Sequence, residues 1–155
     1  RELPSPLRRQ LQRGIRDRHD TGEEYYQDEL SGEQFDVGLF DDSTDSLVDS
    51  SDVADITTEP SDGNYTRQTG ITFSSADENG DWTLTNDSQV SFDVTDTTGD
   101  VDSYFIVVNF DSDDAGDGGT PADHLLATGS LSQSYALNNL DTLNLSAGGI
   151  GTSLS

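Results

Sequence analysis

This chain offers few residues capable of covalent chemistry. It has no cysteine and two histidines, His19 and His124, so disulfides and thiolate metal sites are excluded from it. A hydrolytic triad would need His124 with Ser130 or Ser132 and one of many aspartates. No serine, however, sits in the strand-turn-helix setting that exposes such a nucleophile. The chain therefore reads as a non-enzyme, with His124, beside Asp123 at the start of an apolar run, a residue of the solvent edge.

Metal chemistry has one candidate segment, "DSDDAGDGGTPADH", residues 111–124. Asp111, Asp113 and Gly116 fall at positions 1, 3 and 6 of a calcium loop, and Asp117 adds a further carboxylate. Position 5 is Ala115 and position 12 is Ala122, so the bidentate glutamate that closes an EF-hand is missing. The expectation is a solvated acidic hairpin loop in which Asp111, Asp113 and Asp117 hold diffuse or weakly ordered cations, with no resident cofactor. Three N-x-S/T triplets, at Asn64, Asn86 and Asn144, would matter only where the protein meets a glycosylation machinery.

The sharpest chemical signal is basic. Six of the seven arginines (Arg1, Arg8, Arg9, Arg13, Arg16 and Arg18) lie in the first 18 residues, which carry a net charge of +4. Residues 19–155 hold 29 acids against Arg67 alone, a net charge of −28. Within "SPLRRQLQRGIRDRH", Ser5 can cap a helix and Pro6 suits its first turn, while Leu7, Leu11 and Ile15 recur every four residues as one apolar stripe. Such a helix is marginal alone and is expected to order on docking. The arginines could bind phosphates, an acidic membrane or an acidic protein. Phosphate binding by counterion release is feeble at molar salt, and the arm lacks the large aromatic anchors of a membrane binder. Neither nucleic acid nor membrane is therefore expected as a partner. Protein docking uses both the stripe and the guanidinium forks, so Leu7, Arg8, Arg9, Leu11, Arg13, Ile15 and Arg16 form the candidate anchor.

Molar salt is itself an inference from composition. Aspartate outnumbers glutamate 24 to 7 and lysine is absent. A surface of dense short carboxylates suits strong brine, where the screening length is about 3 Å and self-repulsion is damped. Leu, Ile, Val and Phe make up 34 of 155 residues, close to the lower limit for a charged chain that folds. No apolar run approaches the length of a membrane span and no leader pattern is present, so neither is expected.

Positioning elements follow from hydrophobic period. From Phe35 onward the chain alternates with a period of two: "FDVGLF", "GITFSS" with Ile71 and Phe73 on one face, "DWTLT" with Trp82 and Leu84, "QVSFDVT" with Val90, Phe92 and Val94, and "DTLNLSAGGI" with Leu143, Leu145 and Ala147. "SYFIVVNF", residues 103–110, reads as a strand buried on both faces, "HLLATGSL" as a further strand, and "DENGD", residues 77–81, as a hairpin turn. Gly, Asp, Asn and Ser clusters separate these runs. The expectation is an all-β fold, an antiparallel β-sandwich of jelly-roll type (residues 34–155), preceded by a helical arm and linker (residues 1–33), in which residues 19–33, polar and acidic around Tyr25, Tyr26 and Leu30, are a linker or second short helix. Arg67, the one base of the acidic body, is expected in a structural ion pair with Glu59 or Asp36.

From Phe35 to the end the chain resembles a family of small structural proteins of tailed phages, known as head decoration or tail fibre proteins. The resemblance lies in "FDVGLF", in Glu59 followed by "GNYTRQ" and "ITF", in "LTNDSQVSFDV", in "DSYFIVV", in "LLATGSL", and in "DTLNLSAGGI" with its "SL" ending. It covers about 120 residues and implies a virion protein, here of a tailed virus of halophilic archaea, with no catalytic residues to carry over. A turret or decoration subunit outside the capsid vertex is expected, docked on capsid or other virion subunits and forming a homo-oligomer, a pentamer ahead of a trimer or hexamer. A tail fibre that attaches to a host surface glycan or surface-layer protein is the first alternative. A secreted haloarchaeal adhesin or pilus subunit is the second.

Overall fold

The computed structural model describes residues 30–31, 33–78, 81–110 and 122–153. The arm residues Leu7 to Arg16 and the acidic loop with Asp111, Asp113 and Asp117 lie outside that set. The described fold is mostly β, with antiparallel pairing throughout. Its strands are β1 (Phe35–Phe40), β2 (Gln68–Ile71), β3 (Phe73–Glu78), β4 (Asp81–Asn86), β5 (Val90–Asp93), β6 (Asp100–Phe110), β7 (Ala122–Ala136), β8 (Thr142–Leu145) and β9 (Gly151–Ser153). One helical turn, α1 (Asp42–Asp45), and two 3-10 turns lie among them, and Leu30 and Ser31 are also helical.

The strands form three sheets, in the orders β2-β1-β6-β7, β3-β4-β9 and β5-β8. In the largest, Phe35, Val37 and Leu39 of β1 face Val108, Ile106 and Tyr104 of β6, so one pleat face is continuously apolar. That face shares a core with Phe73, Leu84, Val90, Phe92, Leu143 and Ile150 of the other two sheets. Leu30, on the arm side of the expected boundary at residue 33, is also buried in this core.

The opposite face of the large sheet carries Phe40, Phe105 and Val107, covered by Leu47, Val53 and Ile56 from the segment after β1. From Ser103 to Val108 strand β6 is thus buried on both sides, as its apolar run anticipates. Two irregularities bend β7. Ile106 pairs with Ala127 but Val107 with Leu125, leaving Leu126 as an extra residue, and a larger shift lies between the Val101–Tyr135 and Ser103–Ser130 pairs. Bulges of this kind twist an edge strand away from flat pairing. Gly129 is required opposite Tyr104, since a Cβ there would come within 2.3 Å of the phenol ring.

The structure corrects the sequence reading at two segments. In "DTLNLSAGGI" strand β8 stops at Leu145, and Ala147 lies exposed in the turn that follows. "GITFSS" is two strands, because the chain breaks at Thr72 and passes from the large sheet to the second one. Both Ile71 and Phe73 still contact the same core, so the alternation is silent about the crossing.

Candidate functional site

Arg67 lies in the extended segment just before β2, over the outer face of the large sheet. Its Nε donates to Glu59 Oε1 at 3.1 Å and its Nη2 to Glu59 Oε2 at 2.7 Å, a bidentate fork. The guanidinium carbon stands 5.0 Å from the centre of the Phe105 ring, within the range of a cation–π contact. Asp123 on β7 adds a longer ion pair at 3.7 Å. Of the two carboxylates expected to pair with Arg67, the structure brings Glu59 into contact, while Asp36 interacts through space.

Sequence chemistry explains why this cluster forms. Gly38 faces Phe105 across the β1–β6 pair, and a Cβ at residue 38 would approach Phe105 Cζ to 2.2 Å and Glu59 Oε1 to 3.0 Å. The glycine of "FDVGLF" therefore leaves room for the ring and the carboxylate together. Tyr65 joins the same network. Its hydroxyl donates to Glu59 Oε1 at 3.1 Å and accepts from the Leu39 backbone N–H at 2.9 Å, past the last β1–β2 pair. Its ring stacks on Phe92 of β5, with centroids 5.9 Å apart and planes 8° from parallel. One residue thus links the first and third sheets and satisfies a buried donor.

Electrostatics follow from these contacts. The hydrogen bonds to Glu59 raise the Arg67 pKa above its ordinary value. Burial, reinforced by the charge of Glu59, pushes the Tyr65 phenol far up, so it remains a neutral donor. Burial and the nearby Asp123 also raise Asp36, against the opposing pull of Arg67.

The sites singled out by sequence are not all brought together. The anchor residues and the acidic loop lie outside the described residues, although β6 and β7 pair Phe110 with Ala122 at the base of that loop. Among the described residues no group of three His, Asp or Glu side chains is placed to hold a metal, and no helix is long and apolar enough to cross a membrane. His124, expected at the solvent edge, is half-buried opposite Val108.

The three N-x-S/T triplets separate by burial. Asn64 and Asn144 are exposed, the first donating to Asp93 at 3.1 Å and the second bonded to Ser91. Asn86 is buried and its amide is fully engaged, donating to the carbonyls of Ser88 and Ser146 and accepting from the Ile150 N–H. Asn86 is the structural residue that sequence reasoning missed. A signal existed in the "SAGGI" turn, whose backbone needs a side-chain partner.

Surface carboxylates are held by neighbouring hydroxyls. Hydrogen bonds from Ser43 and Thr44 lower the Asp41 pKa; those from Thr98 lower Asp62, from Ser74 and Thr72 lower Asp87, and backbone and hydroxyl bonds from Thr95 lower Asp93. At Asp45 burial acts upward but is outweighed by Thr57 and Thr58. These five groups have folded pKa values below their unfolded ones. Their contribution to stability is complete above the unfolded value, about 3.9, and is lost as pH falls through the folded values. Asp36 has the opposite sign: ionised, it opposes folding, and acid relieves that. The expected result is a melting temperature that is flat from neutrality to about pH 5 and falls below about pH 4, followed by circular dichroism at constant molar salt. Asp36→Asn should steepen the acid loss; a melting temperature that rises with acid would contradict this balance.

Comparison with known proteins found no matching family, curated relative or solved structure.

Proposed function

We propose that this chain is a non-enzymatic structural protein of the virion of a tailed virus that infects halophilic archaea. In this reading the three sheets form a jelly-roll-like β-sandwich that stands outside the particle as a vertex turret or decoration subunit. The basic arm points inward and docks on an acidic capsid or other virion subunit. The body is a homo-oligomer, with a pentamer favoured by a vertex position. It carries no catalytic site and needs neither nucleic acid nor membrane.

The observation that carries the proposal is the segregation of charge: +4 on residues 1–18 and −28 on the remainder. An acidic body suits brine, whereas an arginine-rich arm with an apolar stripe suits an acidic protein neighbour. Several copies in a ring would turn weak single attachments into a firm one, since linked sites act at effective concentrations of about millimolar. The residues that carry the family resemblance also have internal roles. Gly38, Glu59, Tyr65, Arg67 and Gly129 serve packing and pairing within the body.

The test is deletion of residues 1–18. The expected outcome is a folded, soluble β-domain in molar salt that no longer joins the particle, measured by protein content of purified virions. Normal incorporation would overturn the anchor. Localisation of the full chain at a tail tip, as a trimer or hexamer, would favour the host-attachment alternative.

A further inference from the structure

The outer face of the large sheet ends in a cleft of about 370 Å³ lined by Leu47, Val48, Leu125, Leu126, Ala127 and Thr128, with Asp49 and Ser51 at its rim. Val48 is 66% exposed, the one large hydrophobic residue so exposed among the described residues. Next to it, Leu47 and Leu125 pack only partly against the Phe40–Phe105–Val107 cluster. Beside exposed Val48, Leu47, Leu125 and Leu126 are half-buried, so the cleft has an apolar strip within a partly polar lining. The surrounding segment, residues 41–55, contains six aspartates and no base.

We propose that this cleft is the resting site of the protein's own arm, residues 7–16, before assembly. The inference rests on reading that arm as a protein-docking segment. Complementarity argues for the occupant on two counts. Leu7, Leu11 and Ile15 supply an apolar stripe for the floor formed by Leu47, Val48 and Leu125, and the flanking Arg8, Arg9, Arg13 and Arg16 match Asp49 in the lining and the acidic segment 41–55 from which it comes. Reach argues for attachment within one molecule. Leu30, the first described residue, lies in the core, and the 13 residues from 17 to 29 can span up to about 45 Å when extended. Tethering at that length gives an effective concentration of about millimolar, so a second copy must be abundant to compete. Docking on the particle would then exchange one acidic, apolar receptor for another and expose the cleft only in the assembled state.

The experiment uses the full chain, which has no native cysteine. Gln12→Cys and Ser50→Cys carry a pair of spin labels, and the distance between them is measured by dipolar electron spin resonance on the unassembled protein. The expected result is a narrow, short distance, unchanged when labelled protein is diluted with unlabelled protein and broadened by Val48→Asp. Val48 is exposed, so that substitution should leave the circular dichroism spectrum intact. A broad distribution in the parent protein would overturn the proposal. A short distance that disappears on dilution would also overturn it, by showing that a second copy fills the cleft. A broad distribution together with loss of incorporation on deleting residues 1–18 would reject the cleft and leave the anchor standing. A narrow distance with normal incorporation would do the reverse.

Discussion

Asn86→Asp is expected to leave the body unfolded at neutral pH, although it exchanges one side-chain NH2 for an oxygen. Asn86 ends β4 and is 2% exposed. Its Nδ2 donates to Ser88 O at 2.7 Å and Ser146 O at 2.9 Å, and its Oδ1 accepts from Ile150 N at 3.1 Å. Its backbone accepts from Gly148 N at 2.8 Å and donates to Ile150 O at 3.2 Å. The residue therefore fastens the β8–β9 turn to the second sheet at every polar atom. A carboxylate there would face two carbonyl oxygens with no proton to offer. Each orphaned carbonyl costs about 1–3 kcal/mol, and a buried unpaired charge adds several more. Together these approach the roughly 5–15 kcal/mol that holds a domain folded. Asn86→Ala removes all three side-chain bonds, the acceptor for Ile150 N–H included, but adds no charge, and should cost about 3 kcal/mol. Thermal melts by circular dichroism in molar salt would measure both. The sign with pH is distinctive: burial raises the pKa of the new carboxyl, and its neutral form can donate one bond, so mild acid should recover part of the fold. A melting temperature within a few degrees of the parent protein would refute the role given to Asn86.

The same residue shows where sequence stops being informative. "NDS" reads as a possible glycan acceptor because three letters carry no record of burial, and the partners Ser146 and Ile150 lie 60 and 64 positions away. Strands were legible where a period of two meets a one-sided face, as at Val90, Phe92 and Val94, all buried. They were not legible where backbone alone does the pairing. The segment Gly151–Ser153 has no large apolar side chain, yet it forms β9 against β4. The break at Thr72 was hidden because Ile71 and Phe73 point into one core from two sheets. Arg67 was legible for an electrostatic reason: a single base among 29 acids has carboxylates for neighbours wherever it sits. Its particular partner was settled by space, since Gly38 leaves the gap over Phe105 that Glu59 and the guanidinium share. Leu30, within a stretch read as a linker or second short helix, gave no sign of its place in the core, because one leucine within "QDELSGE" makes no pattern.

Arg67→Met should cost about 2 kcal/mol, more than Glu59→Gln, and the double variant should lose less than the sum of the two. A fully buried pair broken on one side costs about 3–5 kcal/mol; here the two side chains retain 24% and 22% exposure, so water recovers part of that cost. Asymmetry follows from what each change leaves behind. After Glu59→Gln, Arg67 keeps Asp123 at 3.7 Å, the Phe105 ring and an amide oxygen as acceptor. After Arg67→Met, Glu59 keeps one donor in Tyr65, and Asp36 and Asp123 repel each other without the cation that offsets them. The cycle should therefore give a coupling of about 1–2 kcal/mol. Molar salt should shrink it only slightly, because the contact distances fall near or below the ~3 Å screening length and the pair is partly shielded. Denaturant or thermal unfolding of the four proteins in the same brine provides the numbers. Particle incorporation provides a separate readout for the same variants. If Arg67 were instead a contact for another virion subunit, Arg67→Met would abolish incorporation while leaving the melting temperature unchanged. A structural ion pair gives the reverse order, with stability falling first and incorporation following only to the extent that the folded fraction falls.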